Sequence, residues 1–181
     1  MVKGFSGMAK SRDRKFISAD PDKCVGCQVC EYACSFGKER VFNPTKSRIR
    51  VIRENQINNM AVTCRLCETP ACVAACPRDA LSQSENGNII IEKENCTGCG
   101  WCIAACDYGA MMLHPETKTV YSCDICRFRT DGPQCVKWCP EEALSVVTSD
   151  VLAQKARLSA IKKLFQVPGE IRSQRQKETT E

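Results

Sequence analysis

Apolar residues in this 181-residue chain come in short bursts between polar segments. The clearest alternation is Arg48-Ile49-Arg50-Val51-Ile52-Arg53, whose period of two predicts a half-exposed strand. Met60-Ala61-Val62-Thr63 is a second strand, and turn-formers between Asn55 and Asn59 would let the two pair. Lys15-Phe16-Ile17-Ser18 reads as a short strand. Arg78 to Leu81 reads as a short helix or turn, and Asn86-Gly87 as a hairpin turn before a strand at Ile89-Ile90-Ile91. Ala110 to Leu113 predicts a buried strand, His114 to Thr117 a turn with a solvated histidine, and Val120-Tyr121 the return. Ala143 to Val147 supplies a last strand. From a cap at Ser149 or Asp150, a helix is expected to reach Val167, with Leu158, Ile161 and Phe165 on one face and Pro168-Gly169 as its stop. Residues 1–15 and 170–181 lack periodicity and read as a flexible arm and a tail.

These bursts are too short to bury a large core. Apolar residues reach 43%, but 16 of them are cysteines, and aromatics are only 6%. Such a chain needs disulfide or metal staples. The first 23 residues contain no apolar signal-peptide core, and no run approaches the roughly 20 apolar residues of a membrane helix. A reducing cytoplasm is therefore expected, where dense cysteine points to metal.

The cysteines fall in four groups. Cys96, Cys99, Cys102 and Cys106 are separated by two, two and three residues, as are Cys24, Cys27, Cys30 and Cys34. That is the ligand run of bacterial iron–sulfur sites, in which three thiolates wrap one cube and the fourth serves a neighbour. Cys64, Cys67, Cys72 and Cys76 widen the middle gap to four residues; Cys123, Cys126, Cys135 and Cys139 widen it to eight. Pro77 and Pro140 follow the last cysteine of these two groups. Zinc sites instead pair two-cysteine knuckles across a longer stretch, so three ligands crowded into one loop suit a cube better. Gly26, Gly98 and Gly100 would allow the loops to curl closely. Trp101 and Trp138 adjoin ligands and read as shields against water, or as anchors facing a partner.

The formal charge of +5 changes meaning in this light. Four thiolate-bound cubes would add about −8 and leave about −3, so the basic excess offsets cofactor charge and gives little support for nucleic acid. No nucleophile–base pair, phosphate loop or carboxylate pair is present that would make a catalytic site.

With four groups in this order, the chain resembles the four-cluster, ferredoxin-type electron-transfer subunits of molybdenum and tungsten oxidoreductases, such as the β subunits of formate dehydrogenase and dimethyl sulfoxide reductase. Its most specific segments are Cys64-x2-Cys67-Glu68-x-Pro70-x-Cys72 through Cys76-Pro77, and Cys96-x-Gly98-Cys99-Gly100-x-Cys102. The resemblance implies an α+β fold of two ferredoxin-like modules around four [4Fe-4S] clusters, plus a C-terminal helix. Residues 16–62 and 107–148 would form one module, residues 63–106 the inserted one, with 1–15 an arm and 149–181 the helix and tail. It implies four ligand sets: Cys24, Cys27, Cys30 with Cys139; Cys64, Cys67, Cys72 with Cys106; Cys96, Cys99, Cys102 with Cys76; and Cys123, Cys126, Cys135 with Cys34. The spacing itself leaves nested and sequential sharing open. The implied partner is a larger catalytic chain with a molybdenum or tungsten cofactor, with further electron-transfer subunits, no nucleic acid and no membrane span. The short length is similar to that of small subunits serving cytoplasmic tungsten enzymes of the aldehyde oxidoreductase type, including aromatic-ring reductases acting on benzoyl-CoA-type thioesters. A free polyferredoxin shuttle and a zinc-stapled interaction module are the alternatives.

Overall fold

The chain never builds a sheet of more than two strands among its described residues. The computed structural model describes residues 14–54 and 58–165, apart from the side chains at 162 and 163. The strands are β1 (Lys15–Ala19), β2 (Arg50–Arg53), β3 (Asn59–Val62), β4 (Leu81–Gln83), β5 (Ile89–Ile91), β6 (Met112–Leu113), β7 (Val120–Tyr121) and β8 (Leu144–Thr148). The helices are α1 (Val29–Glu39), α2 (Ala71–Ala74), α3 (Trp101–Ala104), α4 (Gln134–Lys137) and α5 (Ser149–Phe165).

Three ribbons are local and antiparallel: β2 with β3, β4 with β5, and β6 with β7. The alternating Arg48–Arg53 segment becomes β2, shortened at its start because Ile49 turns inward and is 1% exposed. The turn at Asn86-Gly87 joins β4 to β5, with Leu81 opposite Ile91. The segment read as a helix or turn at Arg78–Leu81 therefore ends as a strand. Only Met112 and Leu113 of the expected strand at 110–113 pair; Ala110 and Met111 are buried ahead of it.

The fourth ribbon is long-range. β1 lies antiparallel to β8, with Lys15 opposite Thr148 and Ala19 opposite Leu144. The helices pair in the same nested order, α1 against α4 and α2 against α3. At the first contact Gly37 is what fits, since a Cβ there would stand 3.0 Å from Gln134 Cγ.

Seven of the seventeen buried residues in the main core are cysteines: Cys30, Cys34, Cys64, Cys72, Cys102, Cys123 and Cys135. Ile17, Ile49, Leu66, Leu81, Ile89, Met111, Val120 and Leu144 pack among them. A core so poor in large side chains leaves each one important. Ile49→Ala should cost about 2–5 kcal/mol. Anaerobic thermal melts of the iron-loaded protein, followed in the visible band, should show a lower transition temperature; an unchanged melt would mean the site collapses without cost.

Residues 1–148 and 149–181 are separate compact units. In the second, α5 begins at Ser149 and is described to Phe165, so the expected end at Val167 lies outside the described residues, as do most of the arm at 1–15 and all of the tail at 170–181. No described helix is long and apolar enough to cross a membrane.

Candidate metal centres

Each cysteine group places its thiols by the same backbone device. The residue before the second cysteine has a left-handed conformation in all four: Gly26 (φ 71°), Leu66 (51°), Gly98 (67°) and Ile125 (56°). Glycine takes this shape freely. A leucine, and more so a β-branched isoleucine, does so only where its surroundings hold it there. The third cysteine is then the second residue of a helix each time: Cys30 in α1, Cys72 in α2, Cys102 in α3 and Cys135 in α4. All four are buried. Cys76, Cys106 and Cys139 fall just beyond α2, α3 and α4, whereas Cys34 lies within the longer α1.

Gly98 has a second reason to be glycine. A Cβ there would overlap the backbone oxygen of Lys118, in the turn between β6 and β7. Gly26 is similarly confined, 2.6 Å from Asn59 Oδ1 at its would-be Cβ, whereas Gly100 meets nothing and serves only its φ of 85°. Gly98→Ala combines an unfavourable φ with a backbone collision, together worth about 2–4 kcal/mol. The variant should retain less iron than wild type after anaerobic gel filtration, and equal retention would mean that Lys118 moves away freely.

The structure brings thiols from distant groups together. Cys24, Cys27, Cys30 and Cys139 line one small cavity, with Val51, Ala61, Pro140 and Leu144. Cys76, Cys96, Cys99 and Cys102 line another, with Pro77, Leu81 and Val120. Cys72 lies close enough to Cys64, Cys106 and Cys67 to feel their charge. Cys135 does the same with Cys123, Cys34, Cys126 and Cys30. Each of the two cavities thus draws three thiols from one group and a fourth from a distant segment.

Burial pushes Cys30 and Cys72 up to about 12, reinforced at Cys30 by Glu31 and neighbouring thiols and at Cys72 by neighbouring thiols. Burial raises Cys123 to about 12 as well, and Cys135 still further. Without a cation these sites favour neutral thiols; bound iron supplies the charge that keeps thiolates there. Backbone N–H groups already point at several sulfurs. Arg48 donates to Cys34 Sγ at 3.3 Å, Ala110 to Cys106 Sγ at 3.4 Å and Val120 to Cys96 Sγ at 3.5 Å. Among the described residues, no three histidine, cysteine or carboxylate side chains converge on a point that would hold a single metal ion. Four thiols facing a shared space suit a polynuclear cluster better than a lone zinc.

Residues 56–149 match the family described as the 4Fe-4S dicluster domain. The chain belongs to that family. The matched span holds the second, third and fourth groups of this dicluster-domain protein, while Cys24 to Cys34 lie before it. The chain is 35% identical over 176 residues to the electron transport protein HydN of Escherichia coli (strain K12), covering 81% of this chain and 98% of HydN. It is 37% identical over 143 residues to the aliphatic sulfonate oxidoreductase, polyferredoxin-like subunit, of Pyrococcus furiosus, covering 77% and 81% of the two chains. A chain solved in the active site complex BamBC of benzoyl coenzyme A reductase with 1,5-dienoyl-CoA is 30% identical, covering 74% of this chain and 75% of that one, with a TM-score of 0.44.

Several side chains around the sets behave differently from expectation. His114 opens the expected turn but is not solvated. Its side chain is 13% exposed, and Nε2 lies 3.2 Å from Glu39 Oε1 across 75 positions of sequence. Its Nδ1 accepts from the backbone N–H groups of Glu116 and Thr117, so the ring proton sits on Nε2 and is donated to Glu39. Lys46 joins this cluster, 2.7 Å from Glu116. Trp101 and Trp138 are 64% and 60% exposed, which leaves them poor shields for the cavities. Glu31, buried in α1, accepts from the Val51 N–H at 2.6 Å and so ties the first group to β2. Glu31 carried no signal in the sequence, because its helix was not legible there. Lys38 and Arg48 both pair with Asp124, at 2.6 and 3.2 Å, tying α1 and the segment before β2 to the fourth group.

Proposed function

We propose that the chain holds four [4Fe-4S] clusters and passes electrons to or from a larger catalytic chain. The ligand sets are Cys24, Cys27, Cys30 and Cys139; Cys64, Cys67, Cys72 and Cys106; Cys76, Cys96, Cys99 and Cys102; and Cys34, Cys123, Cys126 and Cys135. The observation carrying this reading is the lining of two cavities, each by three thiols from one loop and one from a remote segment. Pairing of α1 with α4, α2 with α3 and β1 with β8 supports two nested modules, residues 16–62 with 107–148 and the inserted 63–106.

When bound, each cluster supplies a site for one electron at a time, within the roughly −700 to +450 mV open to such centres. The chain's own residues do the rest. The buried third cysteines keep water from their own sulfurs, whereas Cys27 and Cys99 are exposed, and backbone N–H groups donate to Cys34, Cys106 and Cys96 and would stabilise added negative charge. The names of the relatives support a partner that is the catalytic part of an oxidoreductase. We assign to it a molybdenum or tungsten cofactor, of the aldehyde oxidoreductase or aromatic-ring-reducing type, in a reducing cytoplasm.

The test is anaerobic native isolation followed by metal and sulfide analysis. About 16 irons and 16 sulfides per chain are expected, together with a large co-purifying subunit containing molybdenum or tungsten. Stoichiometric zinc without iron would end the iron–sulfur reading; a solitary iron-loaded chain in native extract would end the fixed-subunit reading.

A further inference from the structure

Asp124 stands inside the ligand loop of the fourth group, next to Cys123 and two residues before Cys126. Its Oδ1 accepts the backbone N–H of Cys126 at 3.1 Å. Two cations from much earlier in the chain close on the same carboxylate. Lys38 Nζ donates to both of its oxygens, at 2.6 and 2.8 Å, and Arg48 Nη1 lies 3.2 Å from Oδ2. Lys38 follows Cys34 by one turn of α1, and the backbone N–H of Arg48 donates to Cys34 Sγ at 3.3 Å. All three side chains are mostly buried. The triad thus joins the loop of Cys123 and Cys126 to the segments around Cys34, the two halves of one of the ligand sets proposed above.

Charges of this triad reach the thiols. Burial pushes the Cys34 thiol up, and Arg48 draws it back through its N–H and its positive charge. Burial also raises Cys123, and Cys34 and the Asp124 carboxylate add to that rise. Lys38 neutralises part of the Asp124 charge. Arg48 is only partly engaged by Asp124: its Nε is buried and, among the described residues, meets no acceptor. Arg129 also feels Cys126, but Asp131 holds it through two hydrogen bonds of 3.0 Å. Water and salt screen exposed charges strongly, and buried charges much less. A fixed charge that favours or opposes a thiolate acts in the same sense on an electron added at that place.

We propose that Asp124 and Arg48 set the reduction potential of the cluster bound by Cys34, Cys123, Cys126 and Cys135 in opposite directions, Asp124 lowering it and Arg48 raising it. Reduction by one electron from a low-potential donor adds one negative charge to the site and no proton; the carboxylate opposes that product and the guanidinium stabilises it. The inference rests on the ligand sets proposed above. Failure of those sets would appear in the iron content of paired cysteine variants, whereas failure of this inference would appear as unmoved potentials at full iron content.

The test is an anaerobic redox titration of the iron-loaded full chain, followed by electron paramagnetic resonance. In Asp124→Asn, one reduction step should rise by about 59 mV, a tenfold change in the oxidised-to-reduced ratio, while the other steps stay in place. In Arg48→Gln, which keeps the backbone N–H, the same step should fall by a similar amount, and in Arg48→Lys by less. The double variant, Asp124→Asn with Arg48→Gln, removes both charges and should return that step close to its wild-type place. A purely structural role would move both single variants the same way or cost iron in both. The proposal is overturned if both keep their iron and no step moves, if both shift in the same direction, or if both lose iron. If only one of them loses iron, the other decides: a shift of the stated sign confined to one step supports the proposal, and any other result overturns it.

Discussion

A strong iron chelator added to the reduced, oxygen-free protein is expected to remove its brown colour and its fold in a single transition. The described sheets have two strands each, and three of the five helices have four residues. Isolated two-stranded ribbons are at best marginal in water, and so are isolated single-turn helices. What remains is a core in which seven of seventeen residues are cysteines facing one another. In small metal-stapled domains, metal binding contributes about 10–16 kcal/mol, as large as the whole stability of an ordinary domain, about 5–15 kcal/mol. Far-ultraviolet circular dichroism and visible absorbance, recorded together, should decline in parallel as iron leaves residues 1–148. An iron-free chain that kept its native far-ultraviolet spectrum would show that the polypeptide stands without its cofactors.

Pairwise removal of ligands should show which thiols share a cluster. Cys139→Ser takes the remote ligand from the cavity it lines with Cys24, Cys27 and Cys30. Iron should fall from about 16 to about 12 per chain as one cluster is lost. Adding Cys24→Ser should cost no further iron, because two defects in one site are not additive. Under sequential sharing the same double variant would lose two clusters and fall to about 8. The companion pair, Cys34→Ser with Cys123→Ser, should behave alike, since those thiols lie within reach of one another. Iron counted against protein by quantitative amino-acid analysis separates the outcomes, and about 8 irons in either double variant would overturn nested sharing.

The local ribbons were readable from the residues because their signals are local. The alternation ending at Arg53, the turn at Asn86-Gly87 and the apolar run at Ile89–Ile91 each carry their own period or turn chemistry. β4 was not readable. Leu81-Ser82-Gln83 has a single apolar residue and becomes a strand only by pairing with β5. The ligand groups stood out by spacing alone, yet that spacing concealed α1, whose eleven residues contain both Cys30 and Cys34. Left-handed Leu66 and Ile125 were also hidden, because neither residue type favours that shape. Their one signal was positional, since they align with Gly26 and Gly98 ahead of the second cysteine. The triad of Lys38, Arg48 and Asp124 was beyond reach for another reason: it joins three segments that only the tertiary fold brings together.

The antiparallel pairing of Lys15–Ala19 with Leu144–Thr148 also governs how the protein can be made. A ribosome adding about 5–20 residues per second needs roughly 5–20 s to travel from Cys30 to Cys139. During that interval β1 has no strand partner; under the proposed ligand sets the first cysteines to emerge would also lack their fourth ligand, while the middle segment, Cys64 to Cys106, could already close on itself. With those sets, maturation would be ordered from the centre of the chain outward, and the nascent amino-terminal thiols would be the ones most in need of protection from oxygen and stray metals.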